Sequence, residues 1–402
     1  MIQRSFELYP SFKFFITTMH NHVFISASVT GSEADPLNCA QQIYERIANL
    51  LSTTSAQIVH ERCFSNIEHQ KNILEARAGM LLKYKLEVNT PVTFVEGDAC
   101  LQNKFAGVQI RALKPGADSR IWTIMDQGIP KGRAWNLNGS TFFVLHNIDG
   151  GTKGKVDSAD RKTRSDAMFQ QANRLLQSAG ATYRDVVRTW IYIADILDWY
   201  ADFNSVRNRC YTQFGILGNS DSAGQPEKIY LPASTGIEGR NPARLPATMD
   251  VFAVHRSPGS AIKIRAVHGT KQRSPYRYGS AFSRAVVVEE PDNKLILVSG
   301  TASIDEQGKS VFIGDTAAQI RQTLNVVSAL ISTEDATLQD LCEATIFLKN
   351  YKDYPTYLKI AEEIGISNLP SVNVVADVCR DELLFELDAA FIIEKNKKKT
   401  NN

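Results

Sequence analysis

The 402-residue chain lacks an excess of charge of either sign, a long apolar run and a closely spaced cysteine pair. Lys+Arg 45 against Asp+Glu 43 leaves a net +2, so no global field favours a nucleic-acid polyanion. No apolar stretch reaches the roughly 18–20 residues that span a bilayer. The opening Met1-Ile-Gln-Arg-Ser-Phe-Glu has neither the basic nor the apolar region of a secretory signal. Six cysteines without a C-x-x-C pair suit free thiols in a reducing compartment, so a cytoplasmic location is expected. Nucleotide motifs are missing too. Asp149-Gly-Gly-Thr-Lys-Gly-Lys-Val156 lacks the first glycine and the closing Ser/Thr of a P-loop, and no strand-linked G-x-G-x-x-G exists. His20 and His22 share a strand face without a third ligand, so no metal is expected, and Cys379 has no histidine neighbour to make it a nucleophile. The basic end Lys395–Lys399 reads as a solubilising tail rather than a nucleic-acid arm. At 43% hydrophobic and 22% charged, the composition excludes a disordered chain.

What is present is a threefold repeat, a pattern that decides the fold before any motif does. The last third runs Lys294-Leu-Ile-Leu-Val-Ser-Gly as a strand, then a helix with Ile320, Leu324, Val327 and Ile331 on one face. Thr316-Ala-Ala-Gln319 reads as that helix's capping box. A second strand at Ala344–Leu348, a helix around Tyr354–Ile364 and a closing hairpin opened by Leu369-Pro370 complete the unit. The middle third repeats the order through Ser140–His146, Met168/Ala172/Leu175, Trp190–Ile193, Tyr200–Phe214, Leu231–Gly236 and Met249–Val254. The first third does so through His22–Ser26, Cys39/Ile43/Ile47/Leu50, Val59–Phe64, Lys71–Leu82, Thr90–Val95 and Phe105–Arg111. The reading is three tandem α/β (α+β) units over 1–114, 132–268 and 275–394, with linkers near Pro115–Lys131 and Arg256–Ser274 and a frayed tail at 395–402.

Strand–Ser299-Gly-Thr-Ala-Ser303, the amphipathic helix, Asp335-Ala-Thr-Leu-Gln-Asp-Leu341 and a Leu-Pro hairpin ending in Glu386-Leu-Asp-Ala-Ala390 resemble the RidA (YjgF/UK114) family. That family forms homotrimers with active sites between subunits. The resemblance therefore implies an intramolecular pseudo-trimer, monomeric in chain count and free of cofactors. Tyr276–Ala285, Ser299–Ile304 and Asp377–Glu386 look, more sharply, like chorismatases, the RidA relatives that cleave or rearrange chorismate. Tyr200-x-x-Phe203-Asn-x-x-Arg207 is similar to that group's arginine-bearing helix, with Val206 where glycine is expected. RidA imine deaminases carry an arginine after the hairpin proline. Pro370-Ser-Val-Asn373, Pro232-Ala-Ser-Thr235 and Pro91-Val-Thr-Phe94 carry none.

Glu386 stands in an apolar strand on the face it shares with Asp388. By pattern alone it reads as a solvated strand carboxylate. The resemblance instead implies a working acid, a role that a desolvated carboxyl fills near neutral pH. Arg207 and Arg284 are the candidate carboxylate clamps, since a guanidinium fork binds a carboxylate bidentately. For Arg207 a surface ion pair with Asp202 is the equal alternative. Arg77, at the matching helix of the first unit, is either a second clamp or an inherited echo. Thr301, Ser303 and Ser234 offer hydroxyls near strand ends, to orient substrate or to bond the local backbone. Tyr200 and Tyr278 line a cleft or simply pack. The functions implied are chorismate-type chemistry, RidA-type hydrolysis of a 2-imino acid, or a non-catalytic module binding a small carboxylate, with no nucleic-acid or membrane partner.

Overall fold

The computed structural model describes residues 1–32, 34–116, 119–151, 160–217, 231–267 and 281–395. Its first unit contains β1 (Ile2–Leu8), β2 (Phe12–Met19), β3 (His22–Val29), α1 (Pro36–Thr54), β4 (Gln57–Ser65), α2 (Gln70–Lys83), β5 (Thr93–Glu96) and β6 (Phe105–Leu113). The second contains β7 (Ile121–Asp126), β8 (Ile129–Leu137), β9 (Ser140–Ile148), α3 (Arg161–Ser178), β10 (Val186–Ile193), α4 (Ile196–Gln213), β11 (Ala233–Glu238) and β12 (Ala247–Arg256). The third contains β13 (Lys263–Val267), β14 (Ala285–Glu289), β15 (Asn293–Ala302), α5 (Thr316–Ser332), β16 (Leu341–Leu348), α6 (Tyr354–Glu363), β17 (Ser371–Val375) and β18 (Phe385–Glu394).

Each unit is one six-stranded mixed sheet, and all three share one strand order, β1-β2-β3-β6-β4-β5 in the first unit. The pair joined through the second helix is parallel in every unit, as a helical crossover requires. The stretches expected as linkers carry strands in their described parts. Residues 115–131 carry β7 and the start of β8, and 256–274 carry β13, so every unit begins with two further strands. Those strands are short or polar on one face, which hid them from a search for apolar periodicity. The cap of α5 is also corrected. Asp315 accepts from the Ala318 N–H at 2.9 Å, while the Gln319 amide bonds the backbone of Phe312, Glu382 and Leu384.

The helices cover one face of each sheet and give each unit its own core. The opposite faces meet one another in a fourth core that draws Phe24, Trp135, Trp190 and Phe347 from all three units. This explains why β3, β10 and β16 are buried along their whole length. The units also join head to tail through backbone hydrogen bonds. The Glu96 N–H donates to Arg240 O (2.8 Å), Glu238 to Asp377 O (3.0 Å) and Val375 to Asp98 O (2.9 Å), which closes the ring. His22 of the first unit and Asn138 of the second both bond Glu290 of the third, at 2.6 and 3.1 Å. No described helix is long and apolar enough to cross a membrane.

Candidate functional site between the second and third units

A cleft opens where β11 of the second unit faces β15 of the third. It is lined by Tyr200, Arg207, Ser234 and Gly236 from one side and by Phe282, Arg284, Gly300, Ala302, Ile304, Cys379, Arg380 and Glu386 from the other. Five of the residues singled out from sequence are thus brought together: Glu386, Arg207, Arg284, Tyr200 and Ser234. Tyr278 lies outside the described residues. Thr301 and Ser303 are placed elsewhere. The Thr301 hydroxyl donates to Ser299 O and that of Ser303 to Val311 O, while the alternating Gly300, Ala302 and Ile304 take the cleft side.

Glu386 is 4% exposed. Burial pushes its carboxyl up to about 8, the charge of Asp388 on the same strand face adds to this, and Arg188 and Arg284 oppose it. A carboxyl so raised holds its proton at neutral pH. Its Oε1 lies so close to Gly300 that a Cβ there would sit 2.1 Å from it. Only glycine leaves room for this acid. A bulge in the β15–β18 register at Ser299–Gly300 presents that bare backbone, and the Gly300 N–H donates to Thr235 Oγ1 at 2.9 Å.

Arg207 is 1% exposed, so the surface ion pair is not its role, and Asp202 pairs with Lys162 instead. Its Nη2 donates to Asn204 Oδ1 (2.6 Å), its guanidinium lies over the Phe282 ring at 5.9 Å, and its Nε has no partner among the described residues. The same Phe282 ring carries Arg284 at 5.6 Å. A buried guanidinium with its Nε unpaired has the chemistry to accept an anion. Helix α4 places it there because Phe203, Val206 and Cys210 turn into the second unit's core. Val206, standing where glycine is expected, points away from the cleft. Arg77, the matching residue of the first unit, is spent internally: it forks onto Glu61 at 2.8–2.9 Å and bonds Thr90. It is an echo rather than a second clamp.

Strand register shows how the other inter-unit clefts differ. The residue opposite Phe347 is Glu386; opposite Tyr192 and Phe64, in the matching pairs, stand Thr248 and Gly107. Only one of the three positions holds an acid.

Sequence reasoning missed the support behind Glu386. Arg188 Nη2 donates to Asp388 Oδ1 (2.6 Å) and to Thr235 Oγ1 (2.5 Å), fixing the hydroxyl that holds Gly300. The signal was a charged residue inside the apolar run Val186–Ile193, where burial demands a partner. Arg380, also missed, donates to Gly308 O at 2.9 Å from the segment that leads into β18.

Comparison with known proteins shows what the chain that carries this cleft resembles. The family model described as endoribonuclease L-PSP matches residues 148–226 and 276–389, so the chain resembles that family in its second and third units. Across most of its length it is similar to chorismatases. A chorismatase crystal structure superposes with a TM-score of 0.58 at 17% identity, covering 83% of this chain and 93% of that one. A 3-hydroxybenzoate synthase of Streptomyces hygroscopicus is 23% identical over 318 residues, 72% of this chain and 86% of its own. A 3-aminoacrylate deaminase, RutC of Acinetobacter baylyi, is 33% identical over 78 residues, which span 19% of this chain and 61% of the relative.

Proposed function

We propose that this chain is a chorismatase-like enzyme acting on chorismate or a related enolpyruvyl carboxylate. The observation that carries the reading is a buried Glu386, its carboxyl pushed up to about 8, in a cleft shared with two buried arginines. Arg207 and Arg284 hold the substrate's two carboxylates as bidentate partners. Glu386 gives its proton to the methylene carbon of the enolpyruvyl group, leaving an oxocarbenium ion. Water adds to the oxygen-bearing carbon of that ion, and its proton returns to the Glu386 carboxylate. The resulting hemiketal collapses to pyruvate and a dihydroxycyclohexadiene carboxylate. An isomerising branch shares the first proton transfer and ends in a hydroxybenzoate, the product class in the name of the Streptomyces relative. The acid supplies proton transfer, and the arginines offset the dianion. Three units in one chain stand in for the subunits of a trimer.

The deaminase relative favours a second reading, hydrolysis of a 2-imino acid with Glu386 positioning water. Against it, the proline that precedes β11, Pro232, is followed by Ala233 and Ser234 rather than arginine; β11 pairs in parallel with β10, so the closing strands of the unit are not the hairpin expected from sequence. Incubation with chorismate separates the two. Chromatography should show chorismate consumed and pyruvate or a hydroxybenzoate formed by the natural chain but not by Glu386→Gln. Intact chorismate together with ammonia release from freshly made iminoacrylate would replace the first reading with the second.

A further inference from the structure

Among the described residues the first unit lines no part of this cleft, yet one of its side chains reaches the charges behind the acid. Arg62 on β4 is 1% exposed. Its Nη2 pairs with Glu343 of β16, and its Nη1 lies 3.5 Å from both Asp388 Oδ2 of β18 and the Tyr192 hydroxyl of β10. The guanidinium also sits over the Trp190 ring at 4.9 Å. Asp388 is thereby held from two sides, by Arg62 of the first unit and by Arg188 of the second. A continuous polar chain runs Glu343–Arg62–Asp388–Arg188–Thr235–Gly300 N–H, drawn from all three units and ending against the Glu386 carboxyl.

We propose that Arg62 is a positioning residue for the cleft between the second and third units, acting through Asp388 to set the charge that Glu386 faces. The inference rests on the reading of Glu386 as the acid. Glu386 and Asp388 share a strand face, so every charge that offsets Asp388 also weighs on the Glu386 proton. The groups facing Glu386 are Asp388 on its own strand, Arg188 from β10, Arg284 at the entry to β14, Tyr200 and Arg207 from α4, and Cys379 with Arg380 before β18. Arg62 and Glu343 stand one step further out, with opposite signs. Loss of the cation must tighten the Glu386 proton, and loss of the anion must loosen it.

The test reads that proton directly. Infrared titration follows the Glu386 carboxyl band, assigned by its absence in Glu386→Gln, across pH 5–10 in the natural chain, in Arg62→Gln and in Glu343→Gln. The expected result is a midpoint raised by roughly half a pH unit or more in Arg62→Gln and lowered by a similar amount in Glu343→Gln. Unchanged midpoints, or shifts of both variants in one direction, overturn the proposal. Should Arg62→Gln fail to fold, the downward shift in Glu343→Gln decides alone. The band needs no turnover. Opposite shifts in a protein that leaves chorismate intact would overturn the activity and uphold Arg62, whereas a Glu386 already ionised at pH 6 would overturn both.

Discussion

Glu386 places chemistry and stability in opposition. Its folded carboxyl titrates at about 8, above the ordinary value of 4.5, so the folded chain binds a proton that the unfolded chain gives up. Its contribution is fully present below pH 4.5 and is lost as pH rises through 8. Glu386→Gln should therefore melt close to the natural chain at pH 5.5 but several degrees above it at pH 9, worth about 1–3 kcal/mol. Calorimetry at the two pH values checks this, and equal shifts at both would mean that the carboxyl is not buried in its neutral form. Period-2 alternation was enough to put Glu386 and Asp388 on one face. It could not say whether that face met water, because burial here comes from a different unit much earlier in the chain, at Thr235 and Arg188. The same gap separates Arg207, placed in the cleft, from Thr301 and Ser303, turned from it by the bulge at 299–300.

Among the elements, the long periodic helices and the apolar strands were legible, and the pairs of strands that open each unit were not. Residues 121–126 and 263–267 bury little of themselves and alternate weakly. Their identity depends on pairing with β8 and β14. Thr316-Ala-Ala-Gln319 misled in an informative way. The sequence fits a capping box, but Gln319 is wholly buried and its amide ties α5 to the segment entering β18, donating to Glu382 O (2.9 Å) and accepting from the Leu384 N–H (2.8 Å). Gln319→Ala should cost about 1–3 kcal/mol by stranding those two backbone groups. The loss should appear as a lower urea midpoint at unchanged slope, and as weaker turnover, because the segment carries Cys379 and Arg380 to the cleft. A variant with an unshifted midpoint would show that water replaces the amide.

For the whole molecule, the repeat made the three sheets predictable but not their inequality. Of the matching Gly107, Thr248 and Glu386 positions, only the last holds an acid. Arg77 is consumed by Glu61, whereas Arg207 keeps donors available. Titration calorimetry of Glu386→Gln with chorismate should accordingly give one bound molecule per chain. A value of two or three would mean that the other clefts bind ligand without the acid.

The head-to-tail closure of three unlike units carries a last consequence. In an assembly of identical subunits, any side chain beside the symmetry axis confronts two copies of itself, and an arginine there would face its own charge. Strand register matches Arg62 with Trp190 and Thr345, and His60 with Arg188 and Glu343. The fused chain thus breaks the symmetry that would forbid a cation at its centre. It sets that cation between an aromatic ring and a carboxylate. Covalent fusion permits a polar, polarised interior that identical partners could not assemble without self-repulsion.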